Sequence, residues 1–191
     1  MSRGRIPKTT KRYVIEGHAI ISDDDRIADA SGQTPAALRN EADWRYFQNH
    51  LDQAVVTVLG RLGHEANPNV KNRRRLIVSS ASPDLEQRED GWWWNPAKIS
   101  FLEAVSTAAP EGGLVAVPGG QGIFDLFLEI GYDAFHLVRA RGVVIGAGRR
   151  LFSACTSDYR AEAVLAGHGL QQSQPIDLDP ENQVSLTVWR R

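Results

Sequence analysis

The sequence predicts an α/β fold: a mostly parallel central sheet with helices on its faces and an antiparallel hairpin at the C-terminal end. Three observations predict it. Continuous apolar runs that stop at glycine, serine or proline, AVVTVLG at 54–60, RLIVS at 75–79 and LVAV at 114–117, have the composition of strands covered on both faces. Segments with apolar residues at helical spacing lie between them, and strands alternating with helices make a parallel sheet. The last stretch changes style, with strand-like pieces at 162–171 and 184–190 joined by the polar SQPIDLDPENQ and no helix between.

Residues 1–12 form a basic lead, and 13–191 form one domain. YVIEGHAII, from Tyr13, reads as a buried strand. The polar, turn-rich SDDDRIADASGQTP follows and closes at Pro35 ahead of a helix. Over 36–50 the residues Leu38, Ala42, Tyr46, Phe47 and then Leu51 recur at helical spacing, so one face packs on a sheet. Further helices are predicted at 100–108 and 123–130, and a strand at 134–138. A strand that delivers Gly119-Gly120 to a helix start leaves backbone N–H groups bare, where a phosphate or a flat ring can approach. Two biased runs stand out, Arg73-Arg74-Arg75 and Trp92-Trp93-Trp94. The tryptophans are placed in a loop insertion before the second helix, since three adjacent indoles cannot all face one core.

The chain has 191 residues, 42% of them hydrophobic, which is enough for one buried core. A formal net charge of -1 supplies no field to gather nucleic acid or an anionic membrane. The single Cys155 excludes an internal disulfide and a cysteine-rich metal cluster. No apolar stretch is long enough to span a bilayer, and the basic start is followed by no signal-type segment, so the expected location is cytoplasmic.

The order of pieces is specific: an early strand, a polar loop, a helix bearing LRNEADWRYF, and strands ending LGR, VSS and PGGQG. In that order the chain resembles the dihydrofolate reductase superfamily, which includes the reductase domain of the riboflavin-pathway deaminase-reductases. Asp43 with Trp44 and Phe47, Gly60-Arg61 with His64-Glu65, RRRLIVSS, and the C-terminal hairpin are similar to folate reductases. SDDDRIADASGQTP and VVIGAGRRLF are similar to the riboflavin branch.

The resemblance implies hydride transfer from NADPH to a pterin or a related pyrimidine, with no metal. It implies that Asp43 is the catalytic carboxylate that grips the amino-pyrimidine edge, with Trp44 and Phe47 lining the ring pocket and Arg73 meeting the substrate's glutamate tail. By chemistry alone, Asp43 is equally an acidic residue suited to the first turn of a helix, and Arg73 is one arginine of a solvated run. The implied cofactor residues are Ala19, Gly60, Arg61, His64, Ser79, Ser80, Gly119, Gly120, Gln121, Gly122 and Ile123. Arg61 and the serines would meet the 2′-phosphate, and the glycines would let the backbone approach nicotinamide and pyrophosphate. Read without the family, Arg61 and the serines are a solvated cation and two turn residues. Gln121 stands where many folate reductases carry a third glycine. His18 and His136, in strand-like segments, read as core histidines, with His136 near the place where folate reductases put a hydroxyl beside the carboxylate.

Three functions are weighed. The first is an NADPH-dependent dihydropterin reductase acting on dihydrofolate or a relative such as dihydromethanopterin. The second is a riboflavin-pathway 5-amino-6-ribosylaminouracil reductase. The third is a catalytically silent reductase-like binding protein. The partner in the first two is a small molecule, with no nucleic acid and no membrane, and the protein is a monomer or a homodimer.

Overall fold

A computed structural model describes residues 12–191, so the basic lead lies outside the described residues except for Arg12. The elements in order are β1 (Tyr13–Ile21), β2 (Arg26–Ala28), a 3-10 turn (Ala36–Leu38), α1 (Glu41–Gln53), β3 (Val56–Gly60), α2 (Arg61–Ala66), β4 (Arg75–Val78), β5 (Leu85–Arg88), β6 (Gly91–Trp94), α3 (Phe101–Ala108), β7 (Gly113–Gly119), α4 (Gln121–Ile130), β8 (Ala134–Ala140), β9 (Arg149–Arg150), α5 (Ala161–Gly167), β10 (Gln171–Gln172), β11 (Ile176–Asp179) and β12 (Val184–Arg190). The main sheet runs β10-β12-β8-β1-β7-β3-β4-β6-β5, with β11 paired to β12. Neighbours from β8 across to β6 are parallel; β5 and the C-terminal strands are antiparallel. β2 and β9 form a separate two-stranded ribbon. Among the described residues no helix is long and apolar enough to cross a membrane.

Alternation along the strands gives the sheet two faces. Ile15 and Ala19 of β1, Val56 and Val58 of β3, Val115 and Val117 of β7, and Phe135 and Leu137 of β8 join Phe101, Phe124, Phe127, Val164 and Leu165 of α3, α4 and α5 in one apolar core. Phe124, Phe127, Tyr132, Phe135 and Phe152 meet there ring to ring, with centroids 5.5 to 6.3 Å apart in three of the contacts and 5.1 Å in a fourth. The opposite face carries α1. Its apolar part, Leu38, Val138, Leu186 and Val188 with Tyr46 alongside, covers only the β8–β12 side.

Four sequence expectations are corrected. The helix predicted over 36–50 begins at Glu41, because the Asn40 side chain accepts the Asp43 N–H at 3.0 Å and caps it there, leaving Ala36–Leu38 as one tight turn. The strand predicted over 162–171 is the helix α5: Ala161, Val164 and Leu165 bury one helical face, and Gln171–Gln172 alone keeps strand pairing. The true hairpin partner of β12 is β11, inside the stretch assigned to a linker. The tryptophan run is the strand β6, paired with β4. Pleating resolves the crowding, since Trp93 packs with Leu59 and Ile77 on one face while Trp94, 1% exposed, enters the main core on the other. The indole N–H of Trp94 donates to the Ile99 carbonyl and that of Trp93 to Asp90.

Candidate active site

The carboxyl ends of the parallel strands bring most of the proposed cofactor residues to one edge. Gly119 at the end of β7 stands opposite Leu59, next to Gly60; Gly60 stands opposite Val78; and Ser79 follows Val78. Ala19 lies on β1 beside Leu137. Two helices start from this edge, α2 after Gly60 and α4 after Gly120, and no side chain caps either. At Gly119 the backbone has φ +110°, and a Cβ would lie 2.6 Å from the Phe124 ring, so only glycine fits. A Cβ on Gly120 or Gly122 would meet nothing within 4 Å, which leaves open space above the start of α4. Ile123 packs beneath, against Gly60. Gln121 does not project into that space: its amide donates to the Arg150 carbonyl at 3.0 Å.

On the α1 face, Asp43 is 7% exposed and points at the sheet. Its Oδ1 accepts a hydrogen bond from His18 Nε2 at 2.9 Å. Phe47, one helical turn on, lies over the same imidazole with ring centroids 4.8 Å apart. Burial pushes the His18 imidazole below its ordinary range, against the opposing pull of Asp43, so at neutral pH it is uncharged and donates through Nε2. His18 Nδ1 is buried without a hydrogen-bond partner among the described residues, so this is not the satisfied core histidine that the sequence suggested. Trp44 is 57% exposed at the rim, 5.9 Å from the Phe47 ring.

Deeper along α1 the polar stripe continues. His136 donates from Nε2 to Glu16 at 2.8 Å and accepts the Tyr46 hydroxyl at Nδ1 at 2.7 Å. That hydrogen bond holds the Glu16 carboxyl below its usual range although burial opposes it. His50 is 8% exposed; its Nε2 is buried without a partner among the described residues, and its Nδ1 stands 3.7 Å from Glu16, beyond hydrogen-bond distance. Burial first, and then the neighbouring His136, drive it down to about 4. An unsatisfied buried nitrogen of this kind costs about 1–3 kcal/mol. Sequence reasoning missed this set. The signal was Glu16 and His18 two apart inside an apolar strand, with Asp43, Tyr46, Phe47 and His50 at helical spacing opposite them.

The remaining predicted residues have partners of their own. Arg73 is held by Asp52 and by the Gln48 side chain at 2.7 Å. Arg61 is half exposed and pairs with Glu65 one turn along α2. Both His64 ring nitrogens are engaged, with Asp90 at 2.8 Å and Arg75 at 3.0 Å, and the ring meets Trp93 edge-on. His64 and Arg73, but not Arg61, line an open groove of about 880 Å³ together with Arg75 and Trp92. Ser79 is buried, with its hydroxyl accepting the Ala81 N–H, and Ser80 is an exposed turn residue.

The two segments similar to the riboflavin branch meet each other. Asp24 accepts the N–H groups of Ile145 and Gly146 at 3.0 and 2.9 Å, and Asp23 accepts that of Gly142 at 2.6 Å. Asp25, with no exposed surface, accepts from Arg139 and Arg160 and from the Ala161 N–H. Against burial, which raises it, these hydrogen bonds hold the Asp25 carboxyl below its ordinary range.

No protein-family model matches the chain, and no curated protein matches it. Solved structures do. A dihydrofolate reductase from Enterococcus faecalis, complexed with NADP(H) and RAB-propyl, superposes with a TM-score of 0.64 at 17% identity over 93% of this chain and 96% of that one. A diaminohydroxyphosphoribosylaminopyrimidine deaminase/5-amino-6-(5-phosphoribosylamino)uracil reductase from Thermotoga maritima gives 0.66 at 15% identity, and this chain, covered over 95%, spans 57% of that protein. The chain therefore has the dihydrofolate-reductase-like fold that its sequence resembles.

Proposed function

We propose that this protein is an NADPH-dependent reductase of a dihydropterin, dihydrofolate or a relative such as dihydromethanopterin. The observation that carries the reading is Asp43: a carboxylate buried on the first helix and oriented by His18, whose ring Phe47 covers. Such a group accepts two charge-assisted hydrogen bonds from an amino-pyrimidine edge and favours protonation of the reducible imine beside it. The bond from His18 uses one lone pair of Oδ1; Oδ2 is outside that pair, and a carboxylate offers about four acceptor positions.

The strand-end glycines fit a dinucleotide. Open backbone at Gly120 and Gly122, and the uncapped positive end of α4, suit an anionic pyrophosphate. When bound, NADPH supplies the hydride. The chain's own work is to hold the two rings face to face, to exclude water, and to keep the carboxylate pointed at the pterin. Ser79, Ser80 and Arg61 follow strand ends at this edge, which is why the 2′-phosphorylated cofactor is the one named.

A second reading rests on the clasp between Asp24 and the Ile145–Gly146 backbone, which joins the two segments that resemble pyrimidine reductases of the riboflavin pathway. One experiment separates the two: NADPH consumption measured with dihydrofolate and with 5-amino-6-ribosylaminouracil, for the wild type and for Asp43→Asn. Pterin turnover that collapses in the variant supports the first reading. Turnover of the pyrimidine alone, undiminished in the variant, overturns it in favour of the second. If neither substrate is turned over and NADPH does not raise the melting temperature, both fall and a silent binding fold remains.

A further inference from the structure

The reductase reading leaves a second polar cluster on the α1 face unused. Glu16 on β1, His50 near the end of α1 and His136 on β8 each bring one donor atom to within 4.8 Å of the others. The two imidazoles are 8% and 6% exposed, and the Glu16 side chain is 22% exposed. We propose that these three side chains bind one divalent first-row transition cation, of the zinc, cobalt or nickel class.

The donor set selects the class. Two imidazole nitrogens and one carboxylate oxygen suit these metals, whereas calcium and magnesium take oxygen ligands almost throughout. Spacing agrees with it. Tetrahedral zinc with bonds of about 2.0–2.2 Å separates its donors by about 3.3–3.5 Å. Glu16 Oε2 lies 2.8 Å from His136 Nε2 and 3.7 Å from His50 Nδ1, so the two separations bracket that value, the first needing to open by about 0.5–0.7 Å and the second to close by about 0.2–0.4 Å. The longer one is informative in itself. It is too long for a hydrogen bond and close to the separation of two donors that share one ion, and nothing else among the described residues bonds the His50 ring.

Tyr46 supplies the orienting partner that metal-bound histidines usually have on their other nitrogen. Its hydroxyl lies 2.7 Å from His136 Nδ1. When a cation takes Nε2, the ring proton moves from Nε2 to Nδ1, and Tyr46 changes from donor to acceptor at the same contact. The neutral imidazole thus binds with no net loss of a proton from the ring. An ion held here ties α1 to β1 and β8, the elements on either side of the His18–Asp43 pair. The proposal does not rest on the reductase reading, and its test reads binding and not turnover.

The test uses the full chain without an affinity tag, freed of metal by a chelator. Zn²⁺ is titrated calorimetrically, and Co²⁺ is followed by visible absorption. The expected result is one ion per chain, a higher melting temperature with Zn²⁺, and intense Co²⁺ bands of nitrogen-containing, low-coordinate type. His50→Asn and His136→Gln each weaken binding by more than about 100-fold and Tyr46→Phe by about 10-fold, while His168→Asn, at the end of α5, changes nothing. No saturable binding to the folded wild type, or binding that survives both ligand variants, overturns the site. Should a ligand variant fail to fold, the wild-type Co²⁺ spectrum decides alone: a weak six-oxygen spectrum overturns the proposal.

Discussion

The two faces of the sheet are built to different ends. On the α3–α4–α5 face, Phe124, Phe127, Phe135, Phe152 and Trp94 pack with Val56, Val58, Val115 and Val117, and the polar atoms are few: the Tyr13 and Tyr132 hydroxyls donate to backbone carbonyls, and the Trp189 indole nitrogen is buried without a partner among the described residues. On the α1 face, β1 and β8 set the partly buried Glu16 and the buried His18 and His136 against Asp43, Tyr46 and His50, and two imidazole nitrogens go unpartnered among the described residues. A chain that sought stability alone would fill both faces in the first way, because an unsatisfied buried donor or acceptor costs about 1–3 kcal/mol. The α1 face bears the larger penalty, two unpartnered nitrogens among six polar side chains against one in an otherwise apolar core, which is the kind of local exception that functional sites show.

The comparison breaks if the faces respond alike to mutation. The largest effect belongs to the apolar face: Phe127→Ala leaves a cavity beside the Phe101 and Tyr132 rings and lowers stability by about 3–5 kcal/mol, measured by denaturant unfolding. Whatever cofactor affinity the protein has is unchanged per folded molecule. Next is the loop at Asp25. Asp25→Asn removes the buried charge that faces Arg139 and Arg160, leaving Arg139 to Glu162 and the Ser22 carbonyl, and costs about 3 kcal/mol.

The pH dependence of that loop follows in sign. Both Asp24 and Asp25 sit below the ordinary carboxylate value in the folded state, so their contribution is complete above about pH 4 and is lost as pH falls through their lower folded values. The melting temperature of the wild type should therefore drop on acidification below about pH 4, and more steeply than that of Asp25→Asn.

On the polar face the order of effects reverses. Asp43→Asn should lower kcat/KM for the pterin by about 100-fold or more while unfolding at nearly the wild-type denaturant concentration. The smallest effect sharpens the contrast most. His50→Leu, in metal-free protein, removes an imidazole with no hydrogen bond and should raise stability by about 1 kcal/mol. A loss of stability there would mean that the two faces are packed by the same rule.

Much of this was legible in the sequence. The runs AVVTVLG, RLIVS and LVAVPGG announced β3, β4 and β7, because a strand covered on both faces has no polar alternation to disguise it. Gly60, Gly119 and Gly120 fell at strand ends as the order of motifs implied, and Asp43 and Phe47 proved to share a helix face. α5 was missed because a seven-residue helix that ends at Gly167 and is followed by Gly169 carries too little periodicity to outvote strand-like Val164 and Leu165. The tryptophan strand was missed because the pleat, which sends adjacent indoles to opposite faces, was not applied to it. The histidine cluster assembles from β1, α1 and β8, so its contacts depend on register that no local pattern carries. His18 faces His136 only because those strands pair there.

The central claim is that Asp43 is a ligand for the substrate ring and not a helix-end charge that happens to be buried. A crystal structure of the protein with NADP⁺ and dihydrofolate tests it most directly. The expected result is the Asp43 carboxylate within hydrogen-bond distance of the amino-pyrimidine edge, with His18 still bonded to Oδ1 and the nicotinamide over the Gly119–Gly120 edge. A pterin bound elsewhere, with Asp43 touching His18 alone, would contradict it.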